Sequence, residues 1–303
     1  MALKRKIAYI NLTNGEIETA PIPLEMRKLY LGGRGMDMYL LYNHTKKGID
    51  PLGPDNVLLV SAGVLGATLA SASARTHVAA KSPLTGFVGS TNMGGFFAPE
   101  LRWAGFDHLV IKGKAEKPVY LWINDGEIEI RDAANVWGEG VFDAQQTIRQ
   151  ELGDEDVKVL CCGPAGENLV RFANVMTGLK NAGGRTGMGA VMGSKNLKAI
   201  AARGTMDIEI KHPEQALAYD EQMVNKVNKT KFAQIMQKWG TMFIYGVTNS
   251  TGLVRCQNFQ LNQLVGGNIE CEHIEDVSFG TEGCFGCVIH CRHKYIIKEG
   301  PYA

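Results

Sequence analysis

The stretch Cys284-Phe-Gly-Cys-Val-Ile-His-Cys291 places three thiols two and three residues apart, close to the C-terminal end of the chain. Gly283 and Gly286 mark this segment as a loop. Thiolates at such spacing can converge on one ion or cluster, and a cubane iron–sulfur cluster held by cysteine is a suitable occupant. Zinc is the alternative, because His290 or His293 would complete a Cys3His ligand set. The fold must therefore present a metal-binding loop, and the spacing alone leaves the metal open.

Composition bounds the remaining possibilities. With 303 residues and 45% hydrophobic content, the chain can fill one large core or two ordinary ones, and we expect two domains. The formal net charge of +1 offers no basic surface, so we expect no nucleic-acid partner. No apolar run is long enough to span a bilayer, and the run from Ile7 to Ile10 is too short for a secretion signal. We therefore expect a cytoplasmic protein without membrane insertion.

The cysteine content points to metal or redox chemistry. In the cytoplasm, seven cysteines are more consistent with such chemistry than with disulfides. Cys161 and Cys162 end an apolar run typical of a buried strand, where both would be small core residues. Cys256 and Cys271 are isolated, and core packing is again the simpler interpretation. The metal-binding prediction therefore rests on the three-thiol loop.

Turn signals and periodicity predict a sheet followed by helices. Asn14-Gly15 and Asn124-Asp125-Gly126 each separate two alternating stretches, which is a hairpin pattern. Thr85 to Val88 has the composition of a strand, and the segment from Pro213 to Lys231 has helical spacing. We predict an α+β protein. A mixed, largely antiparallel β-sheet N-terminal domain would cover residues 1–210, and the start of a mostly α-helical domain would cover residues 211–303.

The densest glycine segment, residues 181–195, fits neither common phosphate-binding motif. Three residues separate Gly189 from Gly193, where the dinucleotide fingerprint has two. A P-loop requires glycine directly before its lysine, and here Ser194 precedes Lys195. The segment must serve some other purpose, either tight turns alone or the close approach of a different ligand.

Three turns rich in glycine or small residues each carry one arginine, namely Arg34, Arg75 and Arg185. The first of these turns also opens a predicted helix over residues 36–42, whose free backbone amides can receive an anion. Arginine beside exposed amides suits a ligand with phosphate and several ring hydrogen-bonding groups. Surface ion pairs explain any single turn, but three turns together with the thiol loop favour a ligand.

At this point the sequence resembles the tungsten-containing aldehyde:ferredoxin oxidoreductase family along essentially its whole length. The resemblance is carried by four motifs in the same order, followed by the cysteine loop: Ser82-Pro-Leu-Thr-Gly86, Asn92-Met-Gly-Gly95, Gly163-Pro-Ala-Gly-Glu-Asn168 and Gly189-Ala-Val-Met-Gly-Ser-Lys-Asn-Leu-Lys-Ala199. It implies a bis-molybdopterin cofactor carrying tungsten, or molybdenum in its place, one [4Fe-4S] cluster beside it, and a magnesium ion that bridges the pterin phosphates.

The resemblance also implies site residues. The positions that match pterin contacts are Arg75, Asn92, Gly94, Ala182, Gly184 and Arg185. Asn92 and the Ala182 carbonyl match the magnesium position, and the positions that match cluster ligands are Cys284, Cys287 and Cys291. Asn181 stands where family members often have arginine, which puts one phosphate or pterin contact in doubt.

Family members continue through a long helical half that provides the fourth cluster cysteine, further pterin contacts and the acid/base residues. We therefore expect this chain to be an N-terminal half or a truncated product, and its catalytic residues are unknown. The resemblance implies oxidation of an aldehyde to a carboxylic acid, with ferredoxin or an electron-transfer subunit as acceptor, and it allows a homodimer. Two alternatives stay open: the active subunit of a tungsten-dependent benzoyl-CoA-reductase-type complex, and a zinc-stabilised non-catalytic fragment.

Overall fold

The structure is a computed structural model and describes residues 5–266 and 269–301. The chain divides into two compact units, Met1–Ala216 and Leu217–Ala303. We call them the sheet unit and the helical unit.

The first sheet of the sheet unit has six strands. They are β1 (Lys6–Asn11), β2 (Glu16–Pro21), β3 (Leu58–Ala62), β4 (Thr76–Lys81), β5 (Val88–Met93) and β6 (His108–Lys112). Their order across the sheet is β2-β1-β6-β3-β4-β5. Only β1 and β6 pair in parallel, and all other neighbours are antiparallel. The chain returns from β5 to place β6 beside β1, and β2 and β5 are the edge strands.

The second sheet has the same construction. Its strands are β7 (Val119–Asn124), β8 (Glu127–Asp132), β9 (Lys158–Cys162), β10 (Val175–Thr177), β11 (Asn181–Gly183) and β12 (Leu197–Arg203). Their order is β11-β10-β9-β12-β7-β8, and only β7 and β12 are parallel. In each sheet a hairpin comes first, three antiparallel strands follow, and the last strand returns beside the first. The sheet unit is thus a topological repeat, with β5 and β11 as equivalent edge strands.

Six helices connect these strands. They are α1 (Leu24–Tyr30), α2 (Arg34–His44), α3 (Phe97–Trp103), α4 (Val141–Leu152), α5 (Pro164–Glu167) and α6 (Met188–Ser194). The largest core combines side chains of both sheets, such as Val78 and Leu121, with side chains of the helices α3 and α6, such as Leu101 and Val191. A second core packs α1 and α2 against the outer face of the first sheet, and a third packs α4 against the second sheet. Burial of apolar side chains in these three cores stabilises the sheet unit.

The helical unit contains four further helices and one hairpin. Its elements are α7 (Pro213–Asn228), α8 (Lys231–Trp239), a 3-10 turn (Gly240–Met242), α9 (Phe243–Ser250), α10 (Cys271–Glu275), β13 (Ser278–Glu282) and β14 (Arg292–Tyr295). The predicted α+β class, with largely antiparallel sheet before mostly helix, is confirmed. Across the described part of the chain, none of the helices combines the length and the apolar character needed to cross a bilayer.

Both predicted hairpins are confirmed, and one predicted strand is wrong. Asn14-Gly15 and Asp125-Gly126 do lie between paired strands. The strand predicted from Thr85 to Val88 is wrong, because β5 begins only at Val88. The Ser82 hydroxyl accepts from the backbone N–H groups of Leu84 and Thr85, at 3.2 Å each, and closes a turn instead. Local side-chain to backbone bonds of this kind compete with strand pairing.

Candidate functional site

The ends of the equivalent strands β5 and β11 hold four of the six predicted contact residues. Asn92 is the next-to-last residue of β5, and Ala182 is the next-to-last residue of β11. Gly94 and Gly184 each lie one residue past their strand. The pairing registers match as well, because Asn92 pairs with the second residue of β4 and Ala182 with the second residue of β10. The repeat therefore places these predicted positions in corresponding places of its two halves.

Glycine residues, which have no side chain, allow β5 and β11 to approach each other closely. A Cβ atom at Gly183 would lie 2.9 Å from both the Met93 Cε and the Thr91 Cγ2 atoms. A Cβ atom at Gly95 would lie 2.6 Å from the Asn181 Nδ2 atom. Both distances are below van der Waals contact, so glycine is required at these two positions. Asn181, the residue that departs from the family pattern, thus lies against the backbone that follows β5.

Three polar side chains around these strand ends have no partner among the described residues. Arg75, Asn92 and Arg185 are exposed, and among residues 5–266 and 269–301 their side chains make neither hydrogen bonds nor ion pairs. A Cβ atom at Gly184 would meet nothing within 4 Å. Packing therefore does not require glycine at that position. Unpaired guanidinium groups beside accessible backbone fit a phosphorylated ligand, since arginine binds phosphate through two parallel N–H bonds.

A buried network of charged side chains fixes the turn that contains Arg34. The helix predicted for residues 36–42 is confirmed as α2, and Arg34 is its exposed first residue. Buried Arg5 donates from Nε to Asp107 Oδ1 at 2.9 Å and from Nη1 to the Leu31 carbonyl at 2.5 Å. Arg102 approaches the same Asp107 oxygen at 3.4 Å. Two guanidinium groups and one carboxylate thus fix the connection into α2.

A second buried network was not predicted from the sequence. Asp37 on α2 is fully buried and accepts hydrogen bonds from three side chains. The Ser61 hydroxyl donates to Oδ2, the His77 Nδ1 atom lies 2.5 Å from Oδ2, and the His108 Nδ1 atom lies 2.7 Å from Oδ1. The second ring nitrogen of His77, Nε2, lies 2.9 Å from the Ser90 hydroxyl. The network therefore runs from the interior to β5, two residues before Asn92.

Electrostatics favour an ionised carboxylate in this network. Burial opposes ionisation of Asp37, but the charges and hydrogen bonds of His108 and His77 keep the pKa of the carboxyl below its usual value. The Nε2 atom of His108 is buried and has no partner among the described residues. The signal available in the sequence was a histidine inside each of the apolar stretches 76–80 and 108–111, which is unusual for buried strands.

The three predicted cluster cysteines lie in the connection of the β13–β14 hairpin. Strand pairing fixes the two ends of this loop, with Glu282 opposite Arg292. The Arg292 Nη2 atom donates to the Gly283 carbonyl at 2.5 Å, and the Cys287 N–H donates to the Cys284 carbonyl at 3.1 Å. The hairpin therefore holds all three thiols on one short, closed loop, where they are half-buried.

The thiols do not converge on a single point. Throughout the described residues, no three His, Cys, Asp or Glu side chains lie close enough together to hold one metal ion. Zinc would need its four ligand atoms at about 2.0–2.3 Å from one centre. In a cubane cluster each cysteine binds a different iron atom, so three thiols spaced along one loop are compatible with it.

Two histidines near the thiol loop and two cysteines elsewhere in the chain were also singled out from the sequence. His290 has a backbone φ of 48° within the loop, and the Nε2 atom of His293 is buried without a partner among the described side chains. Cys161 and Cys162 are fully buried in β9, and burial raises the pKa of each thiol to about 12. Both are inert core residues, as predicted.

Two family profiles match consecutive parts of the chain. The profile described as the N-terminal domain of aldehyde ferredoxin oxidoreductase matches residues 7–204. The profile described as domains 2 and 3 of the same enzyme matches residues 218–303.

Known proteins agree with these profiles. The tungsten-containing aldehyde ferredoxin oxidoreductase of Pyrococcus furiosus is 45% identical over 252 residues, which are 83% of this chain and 42% of that protein. The protein of the same name from Pyrococcus abyssi is 39% identical, over 98% of this chain and 50% of its own length. Among solved structures, the active-site complex BamBC of benzoyl coenzyme A reductase matches with a TM-score of 0.85 and 28% identity, over 99% of this chain and 48% of that one. The chain spans about half the length of these proteins.

Proposed function

Because this chain belongs to the aldehyde ferredoxin oxidoreductase family, we propose that it forms the cofactor-binding part of a tungstopterin enzyme. The complete protein would oxidise aldehydes to carboxylic acids and pass electrons to ferredoxin or to a partner subunit, in the cytoplasm. One observation carries this proposal. The family-matched positions fall at corresponding places of a repeat, around exposed arginine and asparagine side chains that have no partner in the described chain.

Each proposed contact has a physical role. Arg75 and Arg185 would bind the phosphate groups of a bis-molybdopterin cofactor that carries tungsten, or molybdenum in its place. The Asn92 side chain and the Ala182 carbonyl would hold a magnesium ion, since oxygen atoms are the ligands that magnesium prefers. Gly94 and Gly184, which lack side chains, would let the cofactor approach the backbone.

The bound cofactor supplies the two-electron oxidation, and the chain supplies binding and orientation. No catalytic acid or base is assigned to this chain. Cys284, Cys287 and Cys291 would hold a [4Fe-4S] cluster, for which a fourth ligand remains to be identified. His290 and His293 flank Cys291 in the sequence and would act on the cluster through hydrogen bonds, but an ordinary structural role is the simpler interpretation for each.

A second candidate is the active subunit of a benzoyl-CoA-reductase-type complex. The TM-score of 0.85 to the BamBC complex supports this candidate. The sheet unit and the thiol loop would play the same parts in both enzymes, because the difference lies in the substrate. A zinc-stabilised non-catalytic fragment is the third candidate, and the metal content of the purified protein distinguishes it from the other two.

The test is to express the complete protein without oxygen, with tungstate and molybdate supplied. We expect a brown protein that contains iron, sulfide, pterin and tungsten or molybdenum. Assays with aldehydes plus ferredoxin, and with aromatic and dienoyl CoA thioesters, then separate the two candidates. Arg75→Ala and Asn92→Ala should each lower the pterin content several-fold. Arg131→Ala should not, because Arg131 lies on β8, the edge strand remote from β11. A colourless zinc protein without pterin would contradict the proposal.

A further inference from the structure

We propose that Ser90 is an additional cofactor-binding residue, whose hydroxyl forms a hydrogen bond to the bound heterocyclic ring. His77 and Asp37 would act as positioning residues that orient this hydroxyl. The inference rests on the proposed function, because it assumes that the ligand lies at the end of β5.

Strand geometry puts Ser90 on the same face as the proposed contacts. Side chains alternate along a strand, so Ser90 and Asn92 point to one face of β5. The burial pattern agrees, since Gly89, Thr91 and Met93 are buried on the opposite face while Ser90 is only half-buried. On β4, His77 pairs directly with Asn92, which places its side chain on this face too.

Hydrogen bonds hold the Ser90 hydroxyl in place from the inner side. The His77 Nδ1 atom lies 2.5 Å from Asp37 Oδ2, and its Nε2 atom lies 2.9 Å from the Ser90 hydroxyl. A hydroxyl has one O–H donor and two acceptor lone pairs, so a bond to one ring nitrogen leaves it able to make a further hydrogen bond. Ser90 is only half-buried, so this further bond can reach a ligand.

A second serine in the same network gives a matched control. The Ser61 hydroxyl also donates to Asp37, but Ser61 is completely buried in β3 and cannot reach a ligand. If the network served only to stabilise the fold, removal of either hydroxyl would have similar consequences. If Ser90 binds the cofactor, only its removal weakens cofactor retention.

The experiment measures how fast pterin is lost from the complete holoprotein, kept without oxygen after removal of free cofactor. We expect Ser90→Ala to lose pterin about three- to tenfold faster than the wild type, which corresponds to one hydrogen bond. Ser61→Ala should match the wild type, and Ser90→Thr, which keeps a hydroxyl, should largely restore retention. His77→Phe should also speed the loss, because phenylalanine cannot form a hydrogen bond to the Ser90 hydroxyl.

Melting temperatures, measured in parallel, separate binding from folding. His77→Phe also removes a partner of a buried carboxylate and is expected to lower the melting temperature, so Ser90→Ala is the decisive variant. Equal loss rates for Ser90→Ala, Ser61→Ala and the wild type would overturn the inference. If Asn92→Ala retains pterin as well as the wild type, the proposed location of the cofactor fails. If Asn92→Ala loses pterin while Ser90→Ala does not, only the inference about Ser90 fails.

Discussion

Lys195 is a fully buried cation at the end of the glycine-rich segment. Its Nζ atom donates to the Gly113 carbonyl at 3.0 Å and to the Pro54 carbonyl at 3.3 Å. Among residues 5–266 and 269–301 no carboxylate bonds to it. Burial lowers the pKa of Lys195 from 10.5 to about 8, and the charge of Asp55 acts in the opposite direction. The sequence had excluded Lys195 from a P-loop, and the structure shows that it instead ties together two loops of the sheet unit.

The lowered pKa of Lys195 predicts a specific pH dependence. Between about pH 8 and 10.5 the unfolded state binds more protons than the folded state, so the free energy of unfolding rises with pH. The rise is up to about 1.4 kcal/mol per pH unit, or roughly 3 kcal/mol over the window. Lys195→Met should lack this rise. Urea unfolding of both proteins from pH 7 to 10.5 checks the expectation.

Subtracting the free energy of unfolding of Lys195→Met from that of the wild type removes the contributions of all other titrating groups that both proteins share. Cys161 and Cys162, whose pKa values are raised to about 12, lower stability above about pH 9 in both proteins alike. Lys117→Met, which removes an exposed lysine, should give a curve parallel to that of the wild type. Parallel curves for Lys195→Met as well would show that the buried amine titrates normally.

At the scale of residues, the surroundings of some side chains were predictable from the sequence and those of others were not. The buried positions of Cys161 and Cys162 followed from the apolar run around them, because a strand pattern is local. The Asp37 network was not foreseen, since Asp37 lies 40 residues from His77 and 71 residues from His108. Only the packing of α2 onto the first sheet brings them together, and no local pattern encodes that contact.

At the scale of elements, the close approach of β5 to β11 gives two neighbouring glycines different surroundings. Gly183 lies where a Cβ atom would contact Met93, Thr91 and Val175, whereas Gly184 faces open space. We expect Gly183→Ala to destabilise the protein by about 1–3 kcal/mol, because added atoms strain a packed interface. Gly184→Ala should leave stability unchanged but lower the pterin content.

Thermal unfolding and pterin analysis of both variants, in the complete protein, test this expectation. Each substitution serves as the control for the other, because both add one methyl group to adjacent residues. Should Gly184→Ala bind pterin normally, the absence of a side chain there would have no role in binding.

Element boundaries were predictable where turn chemistry was explicit. The Asn14-Gly15 hairpin was found because glycine accepts the positive φ of 74° at that turn. The error at Thr85 to Val88 arose because Ser82 closes a turn through its side chain. β11 was hard to recognise, since it has only three residues. Its stability comes from the neighbouring strand and not from its own composition.

At the scale of the whole molecule, the two units carry separate sets of proposed ligands. The proposed pterin contacts lie in the sheet unit, and the cluster cysteines lie in the helical unit. We therefore expect Cys287→Ser to lower iron and sulfide while much of the pterin remains. Asn92→Ala should have the opposite pattern.

Iron, sulfide and pterin analysis of the anaerobically purified proteins tests this separation. Cys256→Ser is a suitable control, because Cys256 lies in the helical unit outside the hairpin loop. Loss of pterin to the same extent in Cys287→Ser and Asn92→Ala would show that the two sets of ligands are loaded together.

The repeat of the sheet unit is a feature that the sequence did not reveal, because its halves share an order of strands and not a visible motif. It has a historical consequence. If one ancestral gene was duplicated and fused, a polypeptide half as long would have built the same pair of sheets by pairing with its own copy. After such a fusion the two copies were free to diverge. Asn92 and Ala182, which occupy equivalent places in the two halves, would in this way have come to carry different side chains.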